Sequence, residues 1–282
     1  MKGIDILLLL RVIAKRNNRV KMINFSSCNP ESTITSWARV NRKVGLENKS
    51  RQDLLLPELE ERDKIRFVCL SDTHNKHTDV VLPEGDVLIH TGDFCMRGVI
   101  DEAEEFNRWL GTLPFEHKVV IAGNHDMCLD TRMKRGRKIV DGHELFTNCY
   151  YLQEESVEIE GYKIFGSPWV PTFGFWGFME NRSEIKQYWD KIPSDTDILL
   201  THGPPMGVLD KCESGALAGC MHLLDAVVNR VKPKYHVFGH IHEDRGIAHA
   251  AFSETTFINA ANCTIFYQAE NEPIVFELPR KH

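Results

Sequence analysis

Five short polar segments, each placed directly after an apolar run, constrain this chain more than anything else in it. They are Ser71-Asp72-Thr73-His74, Gly92-Asp93, Gly123-Asn124-His125-Asp126, Thr201-His202-Gly203 and Gly239-His240-Ile241-His242. The preceding runs are short and nearly continuous, as strands buried on both faces are. Open α/β sheets gather ligands at the carboxyl ends of such strands, which carries residues distant in sequence to one point. Five of the thirteen histidines lie in these segments, so the clustering is not a by-product of abundant histidine.

Asp72, His74, Asp93, Asn124, His202, His240 and His242 form a candidate metal-ligand set. Their oxygen and nitrogen donors are of intermediate softness and suit Mn, Fe, Zn, Co or Ni better than Ca or Cu(I). Asp72 and His74 are two residues apart, as are His240 and His242. On an extended strand end each pair would point the same way. Gly92 lets the backbone turn close to the site, and the two oxygens of Asp93 suit it to bridge two ions. Asn124 adds a neutral oxygen and limits the negative charge. Cys95, two residues after Asp93, is a weaker candidate because the His/Asp/Asn set is already complete.

The series D-x-H, G-D, G-N-H-D, H-G, G-H-x-H resembles the calcineurin-like metallophosphoesterase superfamily. Within it, the chain is similar to the small metallophosphoesterase-domain proteins related to class III cyclic-nucleotide phosphodiesterases. The likeness runs from about Lys64 to Pro279. It implies Asp72, His74 and His242 with Asp93 on a first metal, and Asn124, His202 and His240 with the same Asp93 on a second. It also implies hydrolysis of small phosphodiesters, cyclic nucleotides among the candidates, with Mn favoured for activity. Two bridged cations lower the pKa of bound water towards neutrality and supply hydroxide for in-line attack. His125 is the candidate general acid, since imidazole titrates in the useful range. Either Asp126 or, by the resemblance, Asp93 orients it. Every motif position is filled, including His242, which favours turnover over the competing reading, a low-turnover metal-binding scaffold acting through protein partners.

Asn75 and Arg97, adjacent to the motifs, and His143 are candidate substrate contacts. Residues 169–178 bring Trp169, Phe173, Phe175 and Trp176 together with Gly174, Gly177 and Pro171, just after Pro168. That is too irregular for a helix. These rings either form a wall on which a nucleobase stacks or plug the edge of the fold.

From Ile65 onward strands and helices alternate. Ile65–Leu70, Asp86–His90, Lys118–Ala122, Ile198–Leu200 and His236–Phe238 read as strands, and Ile100–Leu113 and Met221–Val231 as helices. Val157–Phe165 reads as a hairpin broken at Gly161, with Thr256–Asn259 and Ile274–Leu278 as closing strands. The late hairpin and closing strands do not fit one parallel sheet. The expected fold is α/β, a four-layer sandwich of two mixed β-sheets flanked by helices, spanning residues 64–282.

Residues 1–63 read as a basic extension, peripheral or flexible. The net charge of −6 is uneven. Residues 1–50 carry ten Lys/Arg against three Asp/Glu, or +7, leaving −13 for residues 51–282. So acidic a body disfavours duplex nucleic acid, which needs basic residues to neutralise phosphates, and favours a small phosphoester. Ile4–Leu10, interrupted by Asp5 and followed by Arg11, falls short of the ~20 apolar residues that span a bilayer, so no membrane partner is expected. Eight cysteines without a C-x-x-C pair read as reduced thiols in the cytoplasm. The basic head, with Ser and Thr around Ser26–Ser36, makes a mitochondrial address the alternative. Oligomeric state is not legible.

Overall fold

The computed structural model describes residues 63–133 and 138–281, together with the backbone of a two-residue strand in the head. The leucine cluster Leu54, Leu55, Leu56 and Leu59, along with the rest of the head, lies outside the described residues. In chain order the strands begin with β1 (Glu47–Asn48), β2 (Lys64–Leu70), β3 (Val87–His90), β4 (His117–Val120) and β5 (Tyr150–Tyr151). They continue with β6 (Glu155–Ile159), β7 (Tyr162–Ser167), β8 (Val170–Pro171), β9 (Met179–Glu180) and β10 (Ile198–Thr201). The last are β11 (Tyr235–Phe238), β12 (Gly246–His249), β13 (Thr256–Asn259) and β14 (Ile274–Pro279). The α-helices are α1 (Ile100–Thr112), α2 (Gly142–Leu145), α3 (Lys186–Trp189) and α4 (Met221–Asp225).

Two large sheets form the body. One has seven strands in the order β1-β12-β13-β11-β10-β7-β6, and the other five in the order β14-β2-β3-β4-β5. Both are mixed. In the first, β7, β10, β11 and β13 run parallel, while β6, β12 and β1 pair antiparallel. In the second, β2 to β5 are parallel and β14 is antiparallel. The expected two-sheet sandwich flanked by helices is what the chain forms.

Alternation along β2 explains the layering. Ile65, Phe67 and Cys69 share a buried cluster with Ile164, Ile198, Leu200, Val237 and Ile258 of the other sheet. Val68 and Leu70, on the opposite face, pack with Ala103, Phe106 and Leu110 of α1. A period of two thus sends one set of side chains to each neighbouring layer. The hairpin β6–β7 turns at Glu160-Gly161, whose φ values of 51° and 74° suit a turn matching the strand twist.

Two expectations needed revision. The helix expected over Met221–Val231 is α-helical only to Asp225 and continues as a π-helix over Ala226–Val231. Strand β12 was not expected, because Gly-Ile-Ala-His presents neither an apolar run nor a clear alternation. Its edge carries β1, the one described piece of the head. Among the described residues, no helix is long and apolar enough to cross a membrane.

The inter-sheet core should behave as one cooperative unit. Ile89 is fully buried, and Ile89→Ala is expected to cost about 2–5 kcal/mol in denaturant unfolding. Val81 is 86% exposed, and Val81→Ala should stay within about 0.5 kcal/mol of the parent.

Candidate metal centre

The five motif segments follow β2, β3, β4, β10 and β11, so three come from one sheet and two from the other. They meet along one edge of the sandwich, stitched by bonds between sheets. The His240 backbone N–H donates to Asp72 Oδ2 at 2.8 Å, and His202 Nδ1 donates to the Thr91 carbonyl at 2.8 Å.

Convergence is not achieved as the two-residue spacing suggests. Asp72, His74, Asn75, Asp93 and His240 all adopt positive φ, at 54°, 43°, 62°, 56° and 70°. Asp72, His74, Asp93 and His240 therefore sit on left-handed backbone just past the strands, not on extended strand ends. Such conformations cost about 1–3 kcal/mol each and persist only where the surroundings over-determine them. Two glycines permit the crowding. A side chain at Gly123 would collide with Asp93 and His202, and one at Gly239 with Asp72 and Ser71.

Backbone carbonyls decide which imidazole nitrogen faces the centre. A carbonyl only accepts, so each ring nitrogen bonded to one must carry the proton. His74 Nδ1 donates to Cys95 O at 3.2 Å, His202 Nδ1 to Thr91 O at 2.8 Å, and His242 Nδ1 to Thr264 O at 3.0 Å. Every Nε2 is thereby turned inward as a potential donor to a cation. His74 Nε2 and His242 Nε2 stand 3.3 Å apart. His242 Nε2 is also 3.3 Å from Asp72 Oδ1, a buried oxygen that makes no hydrogen bond. His202 Nε2 lies 3.0 Å from Asn124 Oδ1 and 3.3 Å from Asp93 Oδ2. Asp72, His74 and His242 form one compact donor group, and Asp93, His202 and His240 another. The structure brings all seven sequence-predicted ligands together.

Asp93 connects the two groups through a single oxygen. Its Oδ2 is 3.9 Å from His74 Nε2 and 3.3 Å from His202 Nε2, while Oδ1 accepts the His125 backbone N–H at 2.7 Å. Oδ2 is therefore the Asp93 oxygen that faces imidazoles of both donor groups. This set of buried lone pairs and carboxylates fits divalent cations.

The electrostatics point the same way. Burial opposes ionisation of Asp93, but the surrounding imidazoles, His202 first, hold its carboxyl well below the usual carboxylate range. Burial pushes His74 down to about 4 and His240 down to about 3, so both rings are neutral. For His202, burial is outweighed by the Asp93 carboxylate and the ring rises to about 9. For His242, burial is outweighed by Asp72, and that ring too rises to about 9. One proton in each donor group therefore neutralises charge where a cation would.

His125 is 8% exposed. Its Nδ1 donates to Met96 O at 2.9 Å, leaving Nε2 as the nitrogen available to a reacting group. Asp126 does not orient it, contrary to one of the two readings. Asp126 Oδ2 accepts the N–H groups of Asp93 at 2.8 Å and Gly123 at 2.7 Å, and Oδ1 accepts that of Cys95 at 2.8 Å. It braces two motif loops against each other, a role no spacing in the sequence reveals. Cys95 likewise serves through its carbonyl, and burial raises its thiol well above the usual range.

The three candidate substrate contacts separate. Asn75 and Arg97 share Glu102, which also takes the Arg97 and Gly98 backbone N–H groups. Arg97 has 79% of its side chain exposed. His143 is not brought to the centre. It lies on α2, edge-on to Tyr151 and 3.7 Å from Glu155.

The aromatic segment does reach the site. Trp176 stacks on His125 with ring centroids 4.2 Å apart and planes 23° apart, and Phe173 lies 5.2 Å from His240. Trp169, by contrast, packs inward on Tyr188. Tyr267, which the sequence did not single out, stands edge-on to His74 at 4.8 Å and to His242 at 5.8 Å.

Cation uptake must displace the two imidazole protons. Both pKa values are raised, so the protons are held below about pH 9 and lost above it. Apparent metal affinity is expected to rise with pH up to about 9 and then level off. Calorimetry at pH 7 in buffers of different ionisation heat should report release of about two protons per chain on filling both groups. Uptake without proton release would contradict this assignment.

Relatives are similar to this chain over most of its length. The Calcineurin-like phosphoesterase family model matches residues 65–244. Metallophosphoesterase domain-containing protein 1 of Homo sapiens is 44% identical over 233 residues, covering 76% of this chain and 71% of the human protein. A UPF0046 protein of Caenorhabditis elegans is 42% identical over 233 residues, covering 77% of this chain and 82% of its own. The family match encloses all seven candidate ligands and His125, and the chain belongs to the calcineurin-like phosphoesterases, metal-dependent hydrolases of phosphoesters.

Proposed function

We propose that this chain is a phosphodiesterase that hydrolyses small phosphodiesters with two divalent cations, which Asp93 and the donor groups on either side of it would hold. The observation that carries the reading is the inward convergence of imidazole Nε2 atoms on two carboxylates, with a further imidazole beside them. Asp72, His74 and His242 would hold one ion, and Asn124, His202 and His240 the other, with Asp93 shared. A cation pair supplies Lewis acidity towards phosphate oxygens and a nucleophile derived from water at neutral pH.

The protein's own groups do the rest. Asp126 fixes the Asp93 and Gly123 backbones and so sets the spacing of the two donor groups. His125, with Nδ1 committed to Met96 O, presents Nε2 to donate a proton to the departing ester oxygen. Phe173, Trp176 and Tyr267 line the surroundings with rings against which an organic ester group would pack. The resemblance to cyclic-nucleotide phosphodiesterases makes cyclic nucleotides the first substrates to try, and the acidic body supports a small ester over a nucleic-acid duplex.

The test is a substrate panel on protein chelated and then reloaded with Mn. Bis-p-nitrophenyl phosphate and the 2′,3′- and 3′,5′-cyclic nucleotides should be hydrolysed faster than p-nitrophenyl phosphate. Full metal loading without turnover of any diester would sink the proposal in favour of a scaffold. Asp93→Ala should lose tight binding of both ions, as read by metal content after dialysis.

His125→Ala is expected to keep its metals. Its loss should be about 10²–10⁴-fold on diphenyl phosphate and much less on bis-p-nitrophenyl phosphate, whose leaving group scarcely needs a proton. Equal losses on both would assign His125 to positioning instead.

A further inference from the structure

The residues that act on His125 itself are only partly accounted for by the proton-donor reading. A single hydrogen bond from Nδ1 to Met96 O fixes one atom of the imidazole but leaves its plane free to tilt about that contact. On one side, His74 meets the ring edge-on at 4.6 Å with planes 77° apart. The face is taken by Trp176, whose planes and centroids place indole and imidazole in a near-parallel stack.

The indole is not held there by chance packing. The neighbouring Gly177 N–H donates to the Asn124 carbonyl at 3.0 Å, tying the loop to the backbone immediately before His125. The next residue, Phe178, donates its N–H to buried Asp130 Oδ2 at 2.8 Å. At its base, the loop closes through Val170 N–H to Phe178 O at 2.9 Å and the parallel β8–β9 pair. Asp130 also binds Arg132, whose guanidinium lies 4.0 Å over the Trp169 ring. Trp176 is thus mounted on a frame anchored on both sides of the ring it presents. Thr172, Phe173, Gly174 and Phe175, just before it, are exposed.

We propose that Trp176 is a positioning residue for His125, its indole face fixing the imidazole plane so that Nε2 meets the departing ester oxygen. The proposal rests on the reading of His125 as proton donor. In that step the ester O–P bond breaks as a new P–O bond forms to the attacking oxygen. The His125 Nε2 proton passes to the departing oxygen, and solvent restores it afterwards. A tilted ring would still carry a proton but deliver it poorly, and misplacement on the 1 Å scale costs up to about 100-fold.

The test is a double-variant cycle on the metal-loaded full chain, with diphenyl phosphate and bis-p-nitrophenyl phosphate as substrates. Trp176→Ala is expected to lower kcat on diphenyl phosphate by about 10- to 100-fold, with a smaller loss on the nitrophenyl ester and little change in KM. Trp176→Phe, which keeps a flat face for the ring, should recover most of the loss. In the His125→Ala background, Trp176→Ala should cost nothing further, because the two side chains act as a unit. Metal content and melting temperature of each variant separate these effects from misfolding.

A loss of equal size in both backgrounds would overturn the proposal, as would a rise in KM with kcat intact. Either would make Trp176 a wall for the substrate. If His125→Ala itself lowers both substrates equally, the proton-donor reading falls and this proposal falls with it. That failure is recognisable without any Trp176 variant.

Discussion

Two carboxylates buried at the junction of two sheets set the terms for the rest of this molecule. Asp72 and Asp93 are essentially without solvent, and burying an uncompensated charge costs several kcal/mol. Compensation comes from imidazoles and backbone N–H groups contributed by both sheets, including the His240 N–H on Asp72 and the His125 N–H on Asp93. Neutralisation of the carboxylates thus adds polar contacts between the sheets to the apolar core that packs them. The left-handed backbone at Asp72, His74, Asp93 and His240 follows from that requirement, since strand ends splayed by sheet twist do not otherwise bring their first polar residues so close.

The layered body and the chemical floor of the site were legible because both rest on local signals. A strand buried on both faces is a short apolar run, and Ile65–Leu70 or Ile198–Thr201 can hardly be read otherwise. The ligand candidates follow such runs, and in four of the five segments a glycine stands beside them. What was not legible depends on backbone groups that have no letter in the sequence. Asp126 resembles a partner for the histidine next to it, yet three N–H groups from two loops claim its oxygens. Asp93 carries two oxygens, and the fold commits Oδ1 to the His125 N–H while Oδ2 faces His202 Nε2. His143 looked eligible by residue type alone, and the short α2 holds it beside Tyr151. Tyr267 lies in a loop after β13 with no motif around it, and only folding brings its ring against His74.

Floor and rim of the site are built by different means. The floor is buried and follows directly on the strands. The rim comes from two inserted loops that also hold much of the exposed apolar side-chain surface: Phe175 is 97% exposed, Phe266 76% and Phe173 56%. Water-facing rings of this kind contribute nothing to the core and lie where an ester group would enter. Chemistry common to the family can thus be kept on the floor while selectivity is adjusted on the rim. Trp176 is the exception, a rim residue stacked on a floor residue.

The carbonyl groups of Thr91, Cys95, Met96 and Thr264 choose the reactive nitrogen of four histidines, and every one of them is main chain. A side-chain acceptor in the same place would be erased by a single codon change. These acceptors survive any replacement of the residue that bears them, so long as the loop keeps its course. The tautomers of this site are consequently shielded from point mutation and exposed instead to insertions, deletions and prolines that redirect the backbone. Random mutagenesis should find the loss of a ligand readily and the loss of its orientation scarcely at all, so the machinery that aims these rings would stay invisible to a screen built on substitutions.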